Sequence, residues 1–334
     1  MKLSAGIPSG FEAADAANAL EELGYDYAST AETAHDPFIP LAFAAEHTRT
    51  IGLTTGIAVG FARNPMLLAN LGHDLNSLSK GRFTLGLGTQ IAAHITKRFS
   101  MPWSHPAARM REMIQAMQAI WDCWYDGEKL DFRGEFYTHT LMTHYFTPLD
   151  TQYGRPKIAL AAVGPIMTKV AAEVADAMLC HAFTTPRYLQ EVTVPLIEAS
   201  LAERGRDRSE FEIVASMFVA VGDTEEEVQK ARKKLRQQVS FYGSTPAYKG
   251  VFELHGWYDL QPKLNRLSKE GKWDEMAASL PEDVVDAFVI SGTAEQVVDQ
   301  MSTTFAGKID RTSLGFEVDD PDRRKALIQR IKSA

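Results

Sequence analysis

Residues 51–88, IGLTTGIAVGFARNPMLLANLGHDLNSLSKGRFTLGLG, contain a complete strand–helix–strand unit. Ile51–Ile57 and Arg82–Gly88 are short runs with strand character, and Pro65–Leu78 between them repeats apolar residues at helical spacing. Strands joined by a helix run parallel, because a parallel crossover is most readily made by a helix. Both strand cores are apolar on both faces, as in GIAV and FTLGLG, so both sides of the sheet must be covered.

The alternation continues outward. Upstream lie Lys2–Ile7, the helix Phe11–Leu23, Tyr25–Thr30 and the helix Pro37–His47. Downstream, Lys157–Ala162 precedes a helix over Pro165–Val174, and Ala177–His181 precedes Pro186–Arg204. Phe211–Val221 precedes the charged helix Thr224–Phe241, and Arg311–Phe316 precedes a terminal helix Pro321–Lys332. Eight strands close a barrel with a filled interior, so the expected fold is α/β, a (β/α)8 TIM barrel forming one domain over residues 1–334. An open doubly wound sheet fits less well, since no Gly-x-Gly-x-x-Gly turn follows the first strand. Two stretches, 90–152 and 243–281, exceed the plan and are expected as insertions at the C-terminal face of the strands.

Composition removes several classes of function. The 334 residues are 45% hydrophobic and 23% charged, as in an ordinary globular protein. A net charge of −8 argues against nucleic acid, which wants a basic face. No window approaches the ~18 consecutive apolar residues of a membrane span. The N-terminus lacks a basic region followed by an apolar core, so the expected location is the cytoplasm. Cys123 and Cys180 are too few for a disulfide framework and read as buried free thiols. No CxxC, HExxH or Ca²⁺ loop is present, so no metal is expected.

Four strand ends hold the residues that can carry chemistry. Gly56 weakens the third strand, which asks for close backbone approach or a barrel-corner bulge. Gly86 and Gly88 leave room for something flat against the fourth strand, with the Thr89 hydroxyl beside it; tight packing is the plainer explanation. Val163 and Gly164 enter a helix with Pro165 in its first turn, which presents free N–H groups to an anion or makes an ordinary βα turn. In Ser29–Asp36, Glu32 places a carboxylate at the barrel mouth and Asp36 caps the next helix. His35 stays open between a site role and none.

Taken in order, GIAVGFARNP (56–65), GRFTLGLGT (81–89), HPAARMREMIQAMQAIW (105–121), AAVGPIMTKVAAEVADA (161–177) and GTAEQVVDQM (292–301) resemble the luciferase-like superfamily. Within it they are most similar to the branch that uses the 8-hydroxy-5-deazaflavin coenzyme F420. The resemblance spans nearly the whole chain. It implies a non-prolyl cis peptide at Gly56–Ile57 whose bulge backs the cofactor ring, with Glu32 near the ring system. It places Gly88 and Thr89 at the ring edge and Val163, Gly164 and Pro165 at the phosphate. Lys169, one turn into that helix, either neutralises the phosphate or is simply a solvated lysine. The coenzyme's acidic tail would meet His94, Lys97, Arg98, Arg109 and Arg111, unless these merely form a solvated face.

The implied activity is hydride transfer between the deazaflavin C5 and a small organic substrate, an alcohol, enone or imine. An FMN-dependent monooxygenase is the alternative, and a non-catalytic deazaflavin-binding protein a second one. Glu32, His35 and His181 are the catalytic candidates, with His94 and His144 behind them; His181 is preferred because it ends a barrel strand. The sugar-phosphate dehydrogenases of this branch carry a His and a Glu where this chain has Thr33 and Ile91, so glucose 6-phosphate is not the expected substrate. The Ala-Gly-Ser-Ser turn of FMN users is replaced by Ala-Ala-Val-Gly-Pro, which favours the deazaflavin. The family and the apolar helix around Met66–Leu78 suggest a homodimer.

Overall fold

The computed structural model describes residues 1–316 and 318–333. Its barrel strands are β1 (Lys2–Gly6), β2 (Tyr27–Thr30), β3 (Gly52–Thr55), β4 (Phe83–Gly88), β5 (Lys157–Ala162), β6 (Ala177–Cys180), β7 (Glu212–Val214) and β8 (Arg311–Ser313). Each pairs in parallel with its neighbours in chain order, and β8 returns to β1, so the sheet closes as a (β/α)8 barrel. Among the connecting helices are α1 (Ala13–Leu23), α2 (Ile39–His47), α3 (Pro65–Leu78), α4 (Pro106–Asp126), α5 (Pro165–Val174) and α6 (Val194–Ala202). No described helix is long and apolar enough to cross a membrane.

Two strands differ from the sequence reading. Ile51–Ile57 is not continuous. β3 stops at Thr55, and a two-residue strand, Ala58–Val59, resumes pairing with β4. Thr54 faces Thr84 and Ala58 faces Leu87, so four steps on one strand oppose three on the other. One extra residue on one side is a β-bulge, and it turns the Gly56 backbone out of the ladder. Phe211–Val221 likewise divides. β7 ends at Val214, and Phe218–Val221 leaves the barrel to pair in parallel with Val289–Gly292.

That departure builds a second core. Phe183, Phe218, Val239, Phe252, Leu264 and Phe288 are all buried and pack together apart from the barrel core. The supporting helix Glu225–Gly243 begins at a capping box, in which the Thr224 hydroxyl accepts from Glu227 N and the Glu227 carboxylate accepts from Thr224 N. This helical cap comprises the expected 243–281 insertion and its flanking segments. The other insertion holds α4 and a small hairpin, Phe132–Arg133 with Thr138–His139.

The lumen is layered. At its N-terminal end Arg311 is buried, stacks on the Tyr27 ring at 3.8 Å and pairs with Glu212 at 3.0 Å. Lys2 holds the other Glu212 oxygen at 3.1 Å. One layer up, the Thr55 hydroxyl donates to Gly86 O at 2.7 Å and accepts from Gly86 N at 2.9 Å. A Cβ at Gly86 would lie 1.7 Å from the Thr55 carbonyl oxygen, so the neighbouring strand itself fills that place. The same Cβ direction meets the Leu179 side chain at 3.3 Å, which fixes Leu179 as lumen-facing. With a period of two along each strand, Gly6, Gly56, Gly88, Ala161 and His181 then form the C-terminal rim.

Candidate active site

Glycine and alanine at four of these rim positions leave the mouth of the barrel open. A Cβ on Gly6 or Gly56 would meet nothing closer than 4.0 Å, and one on Gly164 would meet nothing within 4 Å. Gly6 at the end of β1 and Gly56 just past β3 are both exposed. Gly88 is different: a Cβ there would touch the Ile57 side chain at 3.0 Å and Ala161 at 3.5 Å. The flat space expected over Gly86 and Gly88 is therefore taken by Thr55 and Ile57, and the open cradle lies instead over Gly6 and Gly56. The Gly56–Ile57 peptide is cis, as the family resemblance implied.

Glu32 belongs to the scaffold of this rim. Its Oε2 accepts from Val59 N at 2.6 Å and from Arg63 Nη1 at 2.6 Å, and its side chain is only 7% exposed. Glu32 N donates to Ile57 O at 3.0 Å, and Gly56 N donates to Thr30 O at 2.6 Å. The bulge is thus tied to the end of β2 on both sides. Arg63 Nη2 also reaches Asp36 at 3.1 Å, while Asp36 Oδ1 accepts from Phe38 N at 2.8 Å in the turn ahead of α2; the N-cap position itself is Phe38, not Asp36 as expected, and carries no side-chain cap. His35 is exposed on the same loop. Thr89 is half-buried at the rim, and its hydroxyl donates to Gln90 O at 2.9 Å.

Gly164 is the N-cap of α5 and Pro165 its first residue, with no side-chain cap, so the first amides of that helix face the space beyond Val163. Lys169 is exposed on α5. The basic stretch is corrected by the structure. Arg109 is buried, donating to the Tyr137 hydroxyl at 2.9 Å and to Pro102 O at 2.7 Å. Arg111 pairs with Glu173 at 2.8 Å. Both anchor the insertion, which leaves His94, Lys97 and Arg98 as the exposed members of that group of five, with the Arg98 guanidinium donating to Thr33 O.

His181 directly follows β6 beneath the helical cap. Its Nδ1 accepts from Phe183 N at 2.9 Å. The ring meets Tyr242 edge-on at 4.7 Å between centroids and Tyr248 at 5.0 Å. Burial lowers its pKa to about 4. Tyr248 is pushed the other way by burial and by neighbouring Tyr242, so it stays a protonated phenol. Burial also raises the adjacent Cys180 thiol to about 12; both cysteines are unpaired and half-buried.

Sequence reasoning missed Gly6, Arg63, Tyr242 and Tyr248. Gly6 closes a strand as Gly56 does and was readable by the same argument. Arg63 and the two tyrosines reach the rim only through tertiary folding, and no local pattern marks them.

A cavity of about 490 Å³ opens at the opposite, N-terminal face, lined by Lys2, Tyr27, Lys157, Asp176 and Asp310 among others. Its carboxylates are engaged in fixing strand starts: Asp176 accepts from Ile158 N at 2.8 Å and Asp310 from Ile213 N at 2.7 Å. In α/β barrels that face holds the fold and the other holds the chemistry.

A closed α/β barrel with a glycine cradle, a free helix start and a capped mouth is the frame of an enzyme that holds a flat, phosphate-bearing group. The luciferase-like monooxygenase family model matches residues 3–311, and the chain belongs to that family. An uncharacterized protein of Mycobacterium tuberculosis is 51% identical over 312 residues, 93% of this chain and 92% of that protein. The 5,10-methylenetetrahydromethanopterin reductase of Archaeoglobus fulgidus is 29% identical over 321 residues, covering 92% of this chain and 90% of the reductase. Among solved structures, the coenzyme F420 dependent tetrahydromethanopterin reductase from Methanopyrus kandleri superposes with a TM-score of 0.76. Identity is 23%, and 98% of this chain and 97% of that one are covered.

Proposed function

We propose that this chain is an F420-dependent oxidoreductase that transfers a hydride between the deazaflavin C5 and a small organic substrate. The observation that carries the reading is the open cradle at Gly6 and Gly56, set in a barrel of this family with the uncapped start of α5 at the same C-terminal end. A flat ring system fits where added Cβ atoms would meet only space. In this reading Gly56 and Ile57 back the ring, Gly88 and Thr89 border it, and the rim beyond Val163, Gly164 and Pro165 receives the phosphate. The amides of Ile166 and Met167 would bind that anion, with Lys169 adding positive charge from the first turns of the helix.

When bound, the deazaflavin supplies two-electron hydride chemistry. The protein supplies placement. The Glu32–Arg63 pair holds the bulge in one position, and the helical cap packs over His181. FMN has a comparable flat ring and phosphate and is the second reading; the Ala-Ala-Val-Gly-Pro turn in place of Ala-Gly-Ser-Ser favours the deazaflavin. We also propose a cytoplasmic homodimer acting on a small molecule. Leu67 and Leu78 on α3 and Ile39 on α2 are more than half exposed, an apolar face that a second copy would cover.

The function is tested by mixing reduced F420 with the protein and a panel of carbonyl, imine and enone compounds, and following cofactor oxidation anaerobically. Substrate-dependent oxidation without oxygen is the expected result. Oxidation that requires oxygen, seen with reduced FMN and not with F420, would move the protein to the monooxygenase reading.

A further inference from the structure

The His181 ring has one nitrogen whose role is settled by the backbone. A main-chain N–H only donates, so the 2.9 Å contact from Phe183 N makes Nδ1 an acceptor. The ring hydrogen of the neutral imidazole therefore sits on Nε2. Among the described residues no acceptor lies within hydrogen-bond distance of Nε2, and that atom is not sealed from solvent. His181 directly follows β6 at a lumen-facing position, and the Tyr242 and Tyr248 rings flank it beneath the cap.

Resting on the proposed function, we infer that His181 binds the substrate's oxygen through a fixed Nε2–H donor, and that the substrate is a carbonyl compound taking up hydride rather than an alcohol giving it. Oxidation of an alcohol needs a base with a free lone pair in the site. Neither His181 nor Glu32 offers one, since Nδ1 has its lone pair on Phe183 N, Nε2 carries the hydrogen and the Glu32 carboxylate is held by Arg63 and Val59 N, while His35 is exposed on its loop. A carbonyl oxygen needs what is present: an N–H whose bond strengthens as negative charge grows on that oxygen.

In the reduction, one C–H bond forms at the carbonyl carbon and the C=O π bond breaks. The substrate gains the hydride and its two electrons from the reduced deazaflavin, which is left oxidised. The alkoxide oxygen then takes a proton from water, because Nε2 keeps its own hydrogen. An enone develops the same charge on the same oxygen.

The test uses F420-loaded protein with histidine-labelled nitrogen and three probe pairs: acetophenone, benzaldehyde and cyclohexenone, each against its alcohol. The His181 ring resonances should report the Nε2–H tautomer at neutral pH. At least one carbonyl probe should bind more tightly than its alcohol and shift the Nε2–H signal. His181→Phe should weaken that probe about tenfold, His181→Asn should recover part of the loss, and F420 affinity should stay within about twofold in both. An Nδ1–H tautomer or an imidazolium at neutral pH would overturn the inference. So would alcohols that bind as well as the carbonyls, no carbonyl binding at all, or an unaffected His181→Phe. Should His181→Phe fail to fold, the tautomer and the probe-induced shift in the wild type decide. Should F420 not bind, the proposed function falls on that measurement alone, while the tautomer of the unloaded protein still reports on His181.

Discussion

Single positions in this barrel separate glycines that the chain needs for folding from glycines that leave room for a ligand. Gly86→Ala would put a Cβ 1.7 Å from the Thr55 carbonyl, backbone that has no rotamer to yield. Chemical denaturation should show a loss of about 3 kcal/mol or failure to fold. Gly6→Ala and Gly56→Ala add a methyl to open space, so stability should stay within about 1 kcal/mol while cofactor affinity falls about tenfold. In sequence these glycines look alike, because what decides each role is the atom another strand brings to it. His181 makes a second prediction at this scale. Its pKa is 6.5 in the unfolded chain and about 4 in the fold, so the unfolded state binds the proton more tightly. Stability from this residue is complete above pH 6.5 and is lost as pH falls towards about 4. His181→Phe should flatten that part of the stability profile by about 2 kcal/mol, a figure reduced for partial solvent contact.

At the level of elements, the bulge after β3 is held by an ion pair as well as by the apolar packing of Ile57, Ala58 and Val59. Arg63 and Glu32 are 16% and 7% exposed and 2.6 Å apart, a pair with little water to replace a lost partner. Arg63→Met should cost about 3 kcal/mol by leaving the carboxylate unpaired. A double-mutant cycle with Glu32→Gln should then return a clear coupling energy, whereas additive losses would mean that the pair does not hold the bulge. The alternation of strands and helices was legible in the chain because both periods are local, and α3 and α5 begin and end where their apolar spacing and prolines put them. The breaks at Ile51–Ile57 and Phe211–Val221 were not. Continuous apolar character cannot reveal that a strand changes partner, and β-branched residues suit the cap sheet as well as the barrel. Arg109 and Arg111 show the same limit for charge. As charged residues on a long helix they read as solvated side chains, yet Phe61 and Tyr137 enclose one and Glu173 neutralises the other.

Among the surfaces that the single chain leaves open are the apolar face of α2 and α3 and the glycine-lined mouth. Light scattering at micromolar concentration should report a dimer, and Leu67→Lys with Leu78→Lys should shift it towards monomer without unfolding it. A monomeric wild type would remove that part of the account. The mouth is the central claim, since family membership, the open cradle and the uncapped start of α5 all converge on a flat cofactor with an anionic arm. Titration of the purified protein with F420 and, separately, with FMN tests it most directly. The account predicts binding of F420 at about micromolar or tighter with FMN weaker, and a clear preference for FMN, or no binding of either, would contradict it.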